Sequence, residues 1–104
     1  MICAEFFTEP DGELVGFQIS GHNGEAGSDI LCAAVSSSAY MAANTVTDVI
    51  KADARITVED GYMLVKVSPQ EAKSCRILFA GFKLHMQGLE EKYPQNIKVS
   101  YTEV

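Results

Sequence analysis

The sequence predicts one α+β domain, an α/β/α-like sandwich in which two long helices flank a mixed sheet in the order ββαββαβ. Three observations carry this expectation. Apolar residues alternate with period two near both ends of the chain, two longer stretches keep helical spacing, and an Asp60-Gly61 pair separates two strand-like runs. With 104 residues there is material for one core and not for two, so residues 1–104 read as a single domain.

Residues 1–8 and 13–20 read as strands around the turn Glu9-Pro10-Asp11-Gly12. Val15, Phe17 and Ile19 share one face of the second strand. A glycine-rich loop follows, Gly21-His22-Asn23-Gly24-Glu25-Ala26-Gly27. A small and apolar run from Ile30 to about Lys51 reads as the first helix. Ser28 is its N-cap, Asp29 lies in the first turn, and Ile30, Ala34, Met41, Thr45 and Val49 keep roughly helical spacing.

Arg55–Val58 and Tyr62–Val67 form a hairpin around Asp60-Gly61. Ser68-Pro69-Gln70-Glu71 opens the second helix with a capping box and a proline at the first helical position. Its apolar stripe is Ala72, Cys75, Phe79, Phe82, Met86 and Leu89, and it stops near Tyr93-Pro94. Ile97, Val99 and Tyr101 alternate along a last strand. Several strands are apolar on both sides, with Cys3 and Phe7 opposing Ile2, Ala4 and Phe6. Two apolar faces call for cover on both. One helix on each side supplies it, as do both helices on one side with a dimer contact on the other.

Composition excludes several classes. A hydrophobic fraction of 47% with 21% charged residues is that of an ordinary globular protein, and no run approaches the roughly 18 apolar residues of a membrane span. Met1-Ile2-Cys3-Ala4-Glu5 has no basic start leading into an apolar stretch, so a secretory signal is not expected and a cytoplasmic location is. The net charge of −6, with no Lys/Arg cluster, argues against direct nucleic-acid binding and suits a basic protein partner. Cys3, Cys32 and Cys75 contain no CxxC pair, so neither a disulfide framework nor a zinc site is expected.

Chemistry concentrates in GHNGEAGSDILCAAVS, residues 21–36. It sets a histidine at a strand end and a cysteine in the first turn of a helix. A helix start offers unpaired N–H groups and a positive dipole end, both of which favour a thiolate. His22 then serves as base or imidazolium partner to Cys32. Backbone N–H groups around Ala33 suit an oxyanion hole, Asp29 can orient His22, and Ser36 lies one turn beyond Cys32. Gly21, Gly24 and Gly27 give the loop freedom to close on a peptide. Each residue has an ordinary reading as well: a loop histidine, a small buried thiol, a cap and turn glycines. Cys3 and Cys75 read as packing residues, and Ile77 and Leu84, off the main apolar stripe, as a dimer contact.

The GH followed by DILCAAVS resembles the signature of the ribosomal-processing cysteine proteases, the Prp family. The likeness extends to chain length, element order and the FKLHMQGLEEKYP end of the second helix. It implies that His22 and Cys32 form a catalytic dyad supported by Asp29 and Ser36, with no metal or organic cofactor. It also implies a substrate, the precursor of a large-subunit ribosomal protein, the twenty-seventh of its series, trimmed of a short N-terminal extension after a pair of aromatic residues. A homodimer is implied too. The loop between histidine and cysteine is a residue or two shorter here than is common in that family. Two other classes fit the same residues: a non-catalytic adaptor holding a basic ribosomal protein, and a redox-sensing thiol protein.

Overall fold

A computed structural model describes residues 1–21 and 30–104. In chain order these form β1 (Ile2–Thr8), β2 (Leu14–Ser20), α1 (Ile30–Asn44) continued by a π-helical segment (Thr45–Ile50), β3 (Ala54–Glu59), β4 (Tyr62–Val67), α2 (Pro69–Lys92) and β5 (Ile97–Glu103). The five strands make one sheet in the order β3-β4-β2-β1-β5. β1 and β5 are parallel, and the other neighbours are antiparallel. The mixed sheet and the ββαββαβ order agree with the sequence.

Register places Ile2, Ala4 and Phe6 of β1 beside Ile19 and Phe17 of β2 and beside Ile97 and Tyr101 of β5 on one face. Val15, Met63, Val65 and Val67 complete that face, and its buried members form the core with the two helices. Phe17 meets Phe82 at 4.5 Å between ring centroids and Phe79 edge-on at 6.2 Å. Such ring contacts add to what area burial alone supplies.

Both helices therefore lie on the same face, and the expected one-helix-per-side sandwich is corrected to two layers. The opposite face carries an exposed Cys3 and the half-buried Phe7, Tyr62 and Leu64. Long polar side chains lie over it. The Lys66 ammonium sits 5.7 Å from the Phe7 ring centroid, Tyr62 Oη donates to Gln18 Oε1 at 2.9 Å, and Thr102 Oγ1 donates to Glu5. Apolar residues on both sides of a strand thus did not require a second helical layer, because lysine and glutamine stems cover part of that face. Cys3, exposed there, is not the packing residue its strand position suggested.

The second helix starts where the sequence predicts, with only the Ser68 half of the expected capping box. Ser68 has extended backbone, its side chain accepts from Glu71 N at 3.4 Å, and Pro69 follows at the first helical position. The Glu71 carboxylate reaches outward to the Asp53 amide at 2.9 Å, tying the helix start to the segment that leads into β3. Glu90 accepts from Val99 N at 2.8 Å and so occupies an amide of the edge strand β5. Gly81 and Gly88 interrupt this helix, each at a cost of about 1 kcal/mol relative to alanine.

The first helix departs from expectation twice. Its buried residues are Leu31, Val35, Ala39, Ala42 and Ala43, whereas Ile30, Met41 and Val49 of the predicted stripe are exposed. Alanines and serines all round make several stripes nearly equal in hydropathy, so spacing alone does not choose among them. The helix also widens over Thr45–Ile50 and ends with Lys51 in the left-handed region at φ 60°. Five of these six residues are β-branched, which crowds the preceding turn. Thr45 Oγ1 bonds back to the Met41 carbonyl at 2.7 Å and Thr47 Oγ1 to that of Ala43 at 3.3 Å, competing with regular helix bonds.

Candidate active site

α1 leans on α2 and stands off the β3–β4 end of the sheet, and the gap is a groove of about 480 Å³, within the roughly 300–1,000 Å³ usual for ligand sites. One wall is a single face of α1, where Cys32, Val35, Ser36, Ala39 and Tyr40 recur at steps of three and four. The other wall is the β3–β4 hairpin tip, from Val58 through Glu59, Asp60 and Gly61 to Tyr62. Ile2, Ile19 and Met63 form an apolar floor.

Cys32 is half-buried in the first turn of α1 as described, and it is not in a disulfide. Ser36, one turn on, is exposed to the same groove. Ala33 is exposed and its side chain does not line the groove. His22 and Asp29 lie outside the described residues.

Gly21, at the end of β2, lines the groove as Cys32 does. The described chain on either side of residues 22–29 therefore borders one cavity. Gly21 has φ +87°, and a Cβ at this position would run into the Met1 carbonyl oxygen. Its N–H donates to the Gly61 carbonyl at 3.1 Å, which joins the end of β2 to the hairpin tip. Gly21 therefore has a fixed steric duty: only glycine fits.

The other cysteines stand apart from this groove. Cys75 is fully buried on the core side of α2, and burial first, the Glu71 charge second, pushes its thiol up from the ordinary range. It stays protonated and packs, as its place in the apolar stripe predicted. Among the described residues no group of three or more His, Cys, Asp or Glu could hold a metal ion, and no helix is long and apolar enough to cross a membrane.

Tyr40, Glu59, Asp60 and Tyr62 were not singled out from sequence. Tyr40 was within reach of the same logic, since it follows Ser36 at the four-residue step by which Ser36 follows Cys32. The hairpin tip was not. It meets Cys32 only because β4 pairs with β2 rather than with β1, which strand-by-strand reading does not specify.

The sequence model of the cysteine protease Prp family matches residues 1–98. The chain belongs to that family. Prp-family membership places it among cysteine-type peptidases. It is 23% identical over 105 residues to the ribosomal processing cysteine protease Prp of Staphylococcus aureus, a match spanning 97% of this chain and 99% of that one. The fold is that of S. aureus Prp solved with a covalently linked product peptide, at TM-score 0.88 and 23% identity over 98% of this chain and 100% of that one. A Streptococcus mutans protein, SMU.848, is similar at TM-score 0.84 and 28% identity, covering 100% of this chain and 96% of the other.

Proposed function

We propose that this Prp-family chain is a cytoplasmic, homodimeric cysteine endopeptidase. Its substrate is the precursor of a large-subunit ribosomal protein, the twenty-seventh of its series, from which it removes a short N-terminal extension. Cys32 is the nucleophile and His22 the general base. The observation that carries the reading is the place of Cys32: first turn of α1, half-buried, on the wall of a peptide-sized groove that Gly21, the residue before His22, also lines.

In the mechanism, the Cys32 thiolate attacks the scissile carbonyl carbon and forms a C–S bond. Backbone N–H groups around Ala33 hold the resulting oxyanion. Collapse breaks the C–N bond while His22 protonates the leaving amine. His22 then takes a proton from water, whose oxygen attacks the thioester and releases the carboxylate and the thiolate. Asp29 orients His22, and Ser36 bonds the substrate backbone. The chemistry needs no metal or organic cofactor.

Groove chemistry supports the substrate class. The Ile2, Ile19 and Met63 floor with Tyr40 at the side suits aromatic side chains before the cleaved bond. Glu59 and Asp60 on the rim, and the net charge of −6, suit a basic protein. Neither feature serves nucleic acid or membrane. The relatives' own complexes, S. aureus Prp with a substrate peptide and with a covalently linked product peptide, are consistent with such a groove.

The test is mass spectrometry of the source organism's precursor incubated with wild type and with Cys32→Ala. Trimming by wild type alone supports the reading. No trimming by either, with binding retained by both, replaces it with a non-catalytic adaptor.

A further inference from the structure

The two edges of the sheet are treated differently. At β5 the Glu90 carboxylate accepts from Val99 N. Among the described residues no side chain caps β3 in this way, and the Glu71 carboxylate stops at the Asp53 amide, one residue short of the strand. Proline and bulges deter a further strand. β3 has no proline, and its pairing with β4 runs from Ala54 to Glu59 without a shift of register.

Which backbone groups face that edge follows from the hairpin. Asp60 and Gly61 alone join the paired Glu59 and Tyr62, so this pair exchanges both of its backbone bonds. Alternation then commits Glu59, Thr57 and Arg55 to β4 and turns the N–H and C=O of Val58, Ile56 and Ala54 outward. The side chains of Val58 and Ile56 share the helix-covered face with their buried partners Met63 and Val65.

This open edge borders the groove of Cys32. Val58 lines the groove with Met63 and Ile19, its neighbours in one cross-strand row, and is 46% exposed at the end of that row. Tyr40, 48% exposed, lines the facing wall. The chain leaves β2 at the hairpin tip, where Gly21 N–H bonds the Gly61 carbonyl. After α1 and its π-helical continuation it re-enters the sheet at Ala54, the far end of β3. α1 therefore runs opposite to β3, with Cys32 toward the tip. From Cys32 to Tyr40 the helix rises about 12 Å, or three to four residues of extended chain at about 3.3 Å each.

We propose that the substrate segment just before the cleaved bond adds to β3 as a further, parallel strand. The proposal rests on the peptidase reading and gives that site its binding mode. The apolar floor that receives residues before the bond continues into Val58, so this segment is the one that reaches the edge. It approaches Cys32 from the far end, in the direction in which β3 runs toward the tip. The substrate residue level with Val58 prolongs the row of Ile19, Met63 and Val58, and its side chain enters the groove beside Tyr40. An apolar or aromatic residue fits there. The two residues flanking it bond the Val58 N–H and C=O, so the backbone supplies affinity and the groove supplies specificity.

Peptides spanning the processing site, each N-methylated at one amide before the cleaved bond, test this through kcat/KM. Methylation should cost about tenfold at every second amide, those of the residues flanking the one level with Val58, and less than about twofold at the amides between. Val58→Pro removes an outward N–H that β4 does not use, and an edge strand tolerates the ring. It should lower kcat/KM about fivefold while the thermal midpoint stays near that of wild type. If that variant misfolds, the peptide series on wild type still decides. Equal losses at all amides, or alternation confined to residues after the bond, overturn the docking mode and leave the peptidase standing. Affinity of the same peptides for Cys32→Ala separates the two readings. If wild type cuts none of them the peptidase reading fails, and alternation in affinity supports the open edge while its absence overturns it.

Discussion

The two helices of this protein solve the same packing problem by opposite means. α2 drives large side chains into the sheet: Phe79 and Met86 are fully buried and Phe82 nearly so. It packs on β2, β4, β5 and α1, and it starts with a side-chain cap. α1 buries mostly small residues, Ala39, Ala42 and Ala43 with Leu31 and Val35, leans chiefly on α2, and ends in a widened turn. The comparison teaches a division of labour. The anchored helix holds the fold, and the slender one stands far enough from the sheet to leave a groove beside its cysteine.

That contrast can be broken by mutation, most severely at the chemistry. Cys32→Ala should lower kcat/KM on a peptide spanning the processing site by at least about 10³-fold, roughly 4 kcal/mol of transition-state stabilisation. Its denaturation midpoint should stay close to wild type, because the residue is a half-buried member of the α1 face. A variant that cleaved normally would remove Cys32 from its role.

Stability should respond to truncation in α2 and to enlargement in α1. Phe79→Ala removes a ring packed edge-on against Phe17 and should cost about 3–5 kcal/mol in urea unfolding. In the helix of small residues, Ala42→Leu overfills a fully buried site and should cost about 1–3 kcal/mol. Equal tolerance at the two sites would erase the distinction. The cap of α2 is worth less: Ser68→Ala should cost about 1 kcal/mol by thermal or chemical unfolding.

The smallest effect is one of pH. The Cys75 thiol is raised in the folded state by burial and by Glu71, against about 8.5 for a free thiol. The unfolded chain therefore loses its proton first as pH rises. The stabilisation is complete below the unfolded pKa and declines above it, until the folded thiol also ionises. Cys75→Ala should flatten the alkaline decline in folding stability while lowering its neutral value. A decline of unchanged slope would assign it to other groups.

Much of the fold was legible because its signals are local. The Ser68-Pro69-Gln70-Glu71 start, the six-residue stripe of α2, the Asp60-Gly61 turn and the alternation in β2 each depend on neighbours within a few positions. Legibility failed where the residues were nearly interchangeable. The alanines and serines of α1 offered several stripes of similar hydropathy, and the helix adopted one other than that marked by Ile30, Met41 and Val49. It failed again at the uncovered sheet face, where Lys66 and Gln18 do part of the covering expected of a helix.

At the candidate site the same boundary runs between local and long-range information. Sequence alone placed Cys32 in the first turn of a helix and Ser36 one turn along, because helical periodicity and helix-start chemistry are short-range properties. Only the tertiary structure decided that both helices share one face, and that Gly21 reaches the groove Cys32 borders, held by Gly61 and by lack of room for a Cβ. It alone brought Glu59, Asp60 and Tyr62 opposite the cysteine. Those meetings depend on strand order, and strand order is set by packing among residues far apart in the chain.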